Sequence, residues 1–175
     1  MTVRRLTPAD LAAYRALSLR AYAFAPDAFV ATVDERAAKP ESFWAARVND
    51  APDAAELVVG AFDGDTLVGS AGLEFAARPK TRHKASLFGM FVAPEHQGRG
   101  LGQALVQAAL AQARARSGVR VVTLTVTEGN ARAEGLYARC GFVRFGVEPL
   151  AMRDLATGAY FAKVHMQCDL QSHAT

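Results

Sequence analysis

One stretch constrains this chain more than any other: Ala85-Ser86-Leu87-Phe88-Gly89-Met90-Phe91-Val92-Ala93-Pro94-Glu95-His96-Gln97-Gly98-Arg99-Gly100-Leu101-Gly102. Its apolar first half reads as a buried strand, and Pro94 stops that strand. Gly98, Gly100 and Gly102 then remove side chains where the backbone must turn sharply and a ligand must come close. A long alanine-rich helix follows to Arg116 and ends at Ser117-Gly118. Its first unpaired N–H groups and the positive end of its dipole face the glycine turn, an arrangement that binds phosphate or pyrophosphate. The stretch reads as an anion cradle.

Two kinds of cradle are excluded. A Walker loop needs Lys-Ser or Lys-Thr after its last glycine, and Leu101-Gly102-Gln103 stands there instead. A dinucleotide fingerprint needs Gly-x-Gly-x-x-Gly, but Leu105 occupies the third position, and Thr123 and its neighbours supply no acidic residue for a ribose. The order Gln97-x-x-Gly100-x-Gly102 after Val92-Ala93-Pro94 resembles the coenzyme A signature of the GNAT superfamily of acetyl-CoA-dependent N-acetyltransferases. A second signature lies downstream. Asn130-Ala131-Arg132-Ala133-Glu134-Gly135-Leu136-Tyr137-Ala138-Arg139-Cys140-Gly141-Phe142 is similar to the family's helix that begins at Asn and ends Leu-Tyr-x-x-x-Gly-Phe. Gly135 inside it departs from a good helix former, at about 1 kcal/mol relative to Ala. The resemblance covers roughly Val58 to Phe142.

Length and composition suit one domain over residues 1–175 with a real core. The net charge of +3 is compatible with an anionic ligand and too small to argue for nucleic acid. Cys140 and Cys168 imply no disulfide framework, Met1 to Arg20 lacks the apolar core of a signal peptide, and no apolar run is long enough to span a membrane. The four histidines show no metal spacing, so no metal is expected. The expectation is a soluble, cytoplasmic protein without nucleic-acid or membrane partners.

In chain order, Thr2 to Leu6 reads as a strand. Thr7-Pro8-Ala9-Asp10 starts a helix with Leu11, Tyr14, Leu17 and Ala21 on its buried face. Ala23 to Pro40 is mixed, and Glu41 to Val48 is a short helix. By resemblance this region shapes the acceptor pocket, which makes Tyr22, Phe24, Phe29 and Trp44 pocket candidates; plain core packing is the alternative for each. Leu57 to Phe62 and Leu67 to Phe75 form a hairpin about Asp63-Gly64-Asp65. Arg78, Lys80, Arg82, His83 and Lys84 read as an exposed basic loop. Val119 to Val126 is β-branched enough to be buried on both faces and pairs in parallel with Leu87 to Val92. Phe142 to Val147 and Tyr160 to Leu170 are the last strands. The fold expected is α/β (α+β): a GNAT-like, mixed, mostly antiparallel sheet with one parallel pair at the cofactor cleft and helices on both faces.

The reaction implied is acetyl transfer from acetyl-CoA to a primary amine by direct attack in a ternary complex. The amine must lose a proton, the developing oxyanion needs a donor, and the leaving thiolate, whose parent thiol has a pKa of about 8.5 by analogy with cysteine, must be protonated. By resemblance, backbone groups of Phe91 and Val92 hold the pantetheine, and those of Gln97, Gly98, Arg99, Gly100, Leu101 and Gly102 hold the pyrophosphate. The Arg99 side chain either adds charge there or faces solvent. Tyr137 is the candidate general acid, because a phenol keeps its proton near neutral pH. Asn130 binds the coenzyme, caps its helix, or does both. Cys140 lacks a nearby base and packs as a small hydrophobe. Leu87 to Val92 contains no carboxylate, so Glu74, acting through water, is the first choice of base; His83, His165 and Glu148 are the alternatives. The acceptor is a small-molecule amine or, alternatively, a protein N-terminus or lysine. A non-catalytic acyl-CoA sensor is the reading from another class. Many relatives pair as homodimers, and nothing in this sequence decides that.

Overall fold

The computed structural model describes residues 1–171. Seven strands form one sheet: β1 (Thr2–Arg5), β2 (Glu56–Asp63), β3 (Thr66–Phe75), β4 (Lys84–Val92), β5 (Val121–Thr127), β6 (Val143–Arg153) and β7 (Tyr160–Asp169), in the order β1-β2-β3-β4-β5-β7-β6. Only β4 and β5 run parallel; every other neighbouring pair is antiparallel. The helices are α1 (Leu11–Phe24), α2 (Val33–Ala37), α3 (Glu41–Arg47), α4 (Leu101–Ala115) and α5 (Ala131–Arg139).

Helical spacing fixes which helix covers which face. Leu105, Val106, Ala109, Leu110 and Ala113 of α4 are buried against Leu57, Val59, Leu73, Val122 and Val164 of the sheet. On the other face, Tyr14 and Leu17 of α1 and Trp44 of α3 pack on Val58, Phe62 and Phe91. The mixed sheet with helices on both faces is the architecture expected from the sequence.

Asp10 sits beneath the start of α1. Its carboxylate accepts from the Thr7 backbone N–H at 2.9 Å and from both terminal nitrogens of Arg4 at 2.8 Å. The Arg4 hydrogen bonds hold its pKa down at about 2. Because the folded-state value lies below the unfolded one, this stabilisation is complete above the ordinary carboxylate range and fades as pH falls towards 2. Asp10→Ala will cost about 1–2 kcal/mol at pH 7, by loss of its bond to the Thr7 N–H and of its ion pair with Arg4. In a urea titration repeated at pH 2 the difference will shrink, and a constant difference would contradict this origin.

Two elements differ from the sequence reading. β5 is not buried on both faces: Val122, Leu124 and Val126 are buried, whereas Thr125 is exposed and Thr123 half-buried. The reason is coverage: α1 and α3 pack chiefly against β2, β3 and β4, and it is the segment after α1 that reaches β5, at Thr127. β6 extends to Arg153 across the segment read as a connection, with its register broken between Glu148 and Met152.

Candidate active site

β4 and β5 pair only through Lys84–Val121, Ala85–Val122 and Ser86–Thr123, and then part. On the other side of β4, Phe88 and Phe91 lie opposite Gly72 and Ser70 of β3, so three residue steps face two. Gly89 takes up the extra residue at φ +61°, a conformation that favours glycine. Such a bulge bends its strand, and here it accompanies the opening between β4 and β5. The opening is a cleft of about 740 Å³.

The ladder determines which backbone groups of β4 reach the cleft. Ala93 N–H donates to Val68 O at 2.8 Å, so by antiparallel alternation Val92 turns its N–H and C=O to the cleft. Val92 O accepts from Gln97 Nε2 at 2.9 Å, and Gln97 Oε1 accepts from Arg132 at 2.8 Å. Phe91, opposite Ser70, directs its own backbone to β3 and so does not turn its N–H to the cleft as Val92 does. The Gln97 amide is likewise occupied, by Pro94 O at 3.2 Å, so Gln97 acts as a brace between β4 and α5.

Gly98, Gly100, Leu101 and Gly102 line the cleft where α4 begins. Gly98 and Gly100 have φ of +78° and +77°, and a Cβ on either would meet nothing within 4 Å. The turn thus holds open space in front of the helix N-terminus, whose first N–H groups lack intrahelical acceptors. Gly102 has a different role: a Cβ there would stand 3.2 Å from Leu136 and 3.3 Å from Met90, so it lets α5 and β4 approach α4. The Arg99 side chain is exposed and does not line the cleft; Arg132 and Arg139 of α5 do. Both arginines escaped the sequence reading, because helix-surface arginines carry no pattern of their own.

Tyr137 of α5 lines the cleft with 7% of its surface exposed, its ring edge-on to Phe142 at 5.8 Å. Burial, with a smaller contribution from Cys140, pushes its pKa up to about 12. Asn130 lines the cleft and caps α5, its Oδ1 accepting from Ala133 N–H at 3.1 Å. Cys140 is buried, and burial raises its thiol pKa. Glu74 lines the cleft from the end of β3, cross-strand from Ser86, whose hydroxyl lies 3.3 Å from that of Thr123. His165 pairs with Glu148 at 3.1 Å, and neither lines the cleft; nor does His83. Of the aromatic candidates, Tyr22 and Phe29 meet with tilted rings 4.6 Å apart and line the cleft. Trp44 is core, and Phe24 is exposed beside Phe91.

The segment after α1 roofs the cleft with Ala28, Phe29, Val30 and Ala31. Thr127 Oγ1 donates to Asp27 O at 2.6 Å, and Lys163 Nζ donates to Thr127 Oγ1 at 2.8 Å and to Ala28 O at 3.4 Å. Lys163 is buried, which lowers its pKa. Among the described residues no three His, Cys, Asp or Glu side chains group as metal ligands, and no helix is long and apolar enough to cross a membrane.

Comparison with known proteins agrees with this geometry. The chain is 32% identical over 146 residues to mycothiol acetyltransferase of Salinispora tropica, taking in 83% of this chain and 45% of that protein. It therefore spans less than half the length of that relative. Over 103 residues it is 38% identical to N-alpha-acetyltransferase RimI of Mycobacterium tuberculosis, covering 58% of this chain and 61% of the relative. A putative acetyltransferase of Salmonella typhimurium, solved with its cofactor acetyl-CoA, has the same fold at a TM-score of 0.78 and 24% identity, over 100% of this chain and 96% of that one. Residues 19–142 match the Acetyltransferase (GNAT) family, and with its parted parallel strands, glycine cradle and facing tyrosine the chain belongs to that family.

Proposed function

We propose that the chain transfers an acetyl group from acetyl-CoA to the primary amine of a small molecule, with both substrates bound together and no covalent enzyme intermediate. The observation that carries this reading is the buried Tyr137 phenol on the wall of a cleft that has the open edge of β4 on one side and the glycine turn at one end. A pantetheine diphosphate suits the groups present. The space before Gly98 and Gly100 would fill with any side chain, the α4 amides lack intrahelical acceptors, and Arg132 and Arg139 add positive charge. When bound, acetyl-CoA supplies an activated acetyl thioester.

The chain's own groups then divide the work. Amides between Gly98 and Gly102 hold the diphosphate, and the Val92 N–H holds the pantetheine arm. The Tyr137 hydroxyl gives its proton to the departing sulfur. Glu74 takes the proton from the amine through a water. Asn130 caps the helix that carries Tyr137.

Thiol release from acetyl-CoA across a panel of amines and peptides tests the reading directly. Silence across the panel, in a preparation that binds acetyl-CoA, would favour the non-catalytic sensor. Glu74→Gln will lower kcat at pH 7 by about tenfold to a hundredfold while leaving the Kd for acetyl-CoA unchanged. The deficit will narrow at alkaline pH as the amine loses its proton unaided; an unchanged kcat at pH 7 would remove Glu74 as base. A second reading, a polypeptide N-terminus as acceptor, is favoured by the uncovered face carrying Thr123 and Thr125.

A further inference from the structure

The cleft carries more positive charge than its carboxylates answer. Arg36, Arg47 and Lys163 are among the residues that line the cleft, with Glu74 as its acidic lining residue among the described residues. Arg36 and Arg47 both lie against the Phe43 ring, at 5.1 and 3.8 Å from its centre. Arg47 also lies 5.0 Å over Phe88 and pairs with Glu56 at 2.9 Å, and Glu56 is the cross-strand neighbour of Glu74. This run of contacts joins Arg36 to the Glu74 end of the cleft, where Ser86 opposite Glu74 still pairs with Thr123, and away from the glycine turn. Arg36 is therefore poorly placed to serve the coenzyme's phosphates.

Arg47 has its carboxylate, and Arg36 has none among the described residues. The neighbouring Glu35 directs its carboxylate to the Thr32 backbone N–H at 2.7 Å. Arg36 Nε is buried without an acceptor, while the guanidinium lies 5.3 Å over the Tyr22 ring, itself on the cleft wall. A planar fork held against two rings, with a buried donor unused and a like charge nearby, is costly until an anion arrives. Lys163, on the roof side of the same cleft, has hydroxyl and carbonyl partners but no carboxylate.

We infer that the acceptor is an amine that also bears a carboxylate, of the free amino acid type, and that Arg36 receives that carboxylate while Glu74 faces the amine. This rests on the acetyl-transfer reading of the cleft. It sets the protein apart from a transferase for polyamines, whose extra ammonium groups would meet Arg36 and Lys163. It also separates a free amino acid from a polypeptide N-terminus, which offers an amide where the carboxylate would be.

The test is equilibrium binding, in the presence of CoA, of a set of N-acetyl-amino acids, each beside its neutral carboxamide. One or more acids will bind at least about tenfold more tightly than the matching amide, as expected for a charge-assisted fork. Arg36→Gln will abolish that preference while the Kd for CoA stays the same. Equal binding of acid and amide in the wild type overturns the inference and favours a polypeptide acceptor. Absence of binding by every acid, or an acid preference that survives in R36Q, overturns it as well. Because binding is read without turnover, the outcome stands apart from the acetyl-transfer assay. Acetylation of a neutral amine with no acid preference would retain the transferase and reject the carboxylate; an acid preference without any turnover would do the reverse.

Discussion

Tyr137→Phe will lower kcat by about a hundredfold or more, the range expected for loss of a positioned general acid, and will leave the Kd for acetyl-CoA within about twofold. The ring and its contact with Phe142 remain, so cleft shape and coenzyme affinity remain with them. The effect falls on proton delivery alone. Burial sets the sign of its pH dependence: with the phenol pushed up to about 12, the wild-type acid stays protonated from pH 6 to pH 10. Over that range activity will rise with deprotonation of the acceptor and will show no descending limb from Tyr137. Initial rates at saturating donor from pH 6 to pH 10, for both proteins, make the comparison. A variant that turns over at the wild-type rate, or a wild-type decline near pH 9 that vanishes in the variant, would show that the phenol is not a high-pKa acid.

Gly100→Val will remove measurable acetyl-CoA binding, a loss of at least about a hundredfold, while the folded protein persists. Two costs coincide at this residue. Its φ of +77° is left-handed backbone, which costs an L-residue about 1–2 kcal/mol. Its Cβ also projects into the open space before α4, where the proposed diphosphate would sit and nothing lies within 4 Å of the Cβ. Gly102→Val supplies the contrast. There the new side chain meets Leu136 and Met90, so packing of α4 is disturbed as well, and the fall in Tm will be the larger of the two. Calorimetric titration with acetyl-CoA, paired with thermal unfolding, separates binding from stability. Retained affinity in a folded G100V protein would sink the placement of the diphosphate.

The strand, turn and helix from Leu87 to Arg116 were legible because proline and glycine fix backbone geometry locally. The cap at Asn130 was one of the roles its place ahead of a helix offered. What escaped was set by partners distant in sequence. The extra residue absorbed at Gly89 shows only once Phe88 and Phe91 are matched to Gly72 and Ser70 across the ladder. Thr123 and Thr125 stand on an open face because of where α1 and α3 end up, and no local pattern carries that. Tyr22 and Trp44 are aromatics in helices of one region, yet one lines the cleft and the other is core. Arg36 and Lys163 are isolated charges in the sequence, and their position emerges from contacts with Tyr22, Phe43 and Ala28.

The ties between the roof and the end of β5 also govern when the site comes into being. Thr127 reaches back 100 residues to Asp27, and Lys163 reaches back 135 to Ala28. Closing loops of that length carries an entropic cost, and the Lys163 tie also waits for β7 to take its place beside β5. A chain still emerging from the ribosome can complete β4, the glycine turn and α4 long before Lys163 is synthesised. The glycine turn can therefore be in place before the enclosed cleft, and β7 ties down the segment that follows α1.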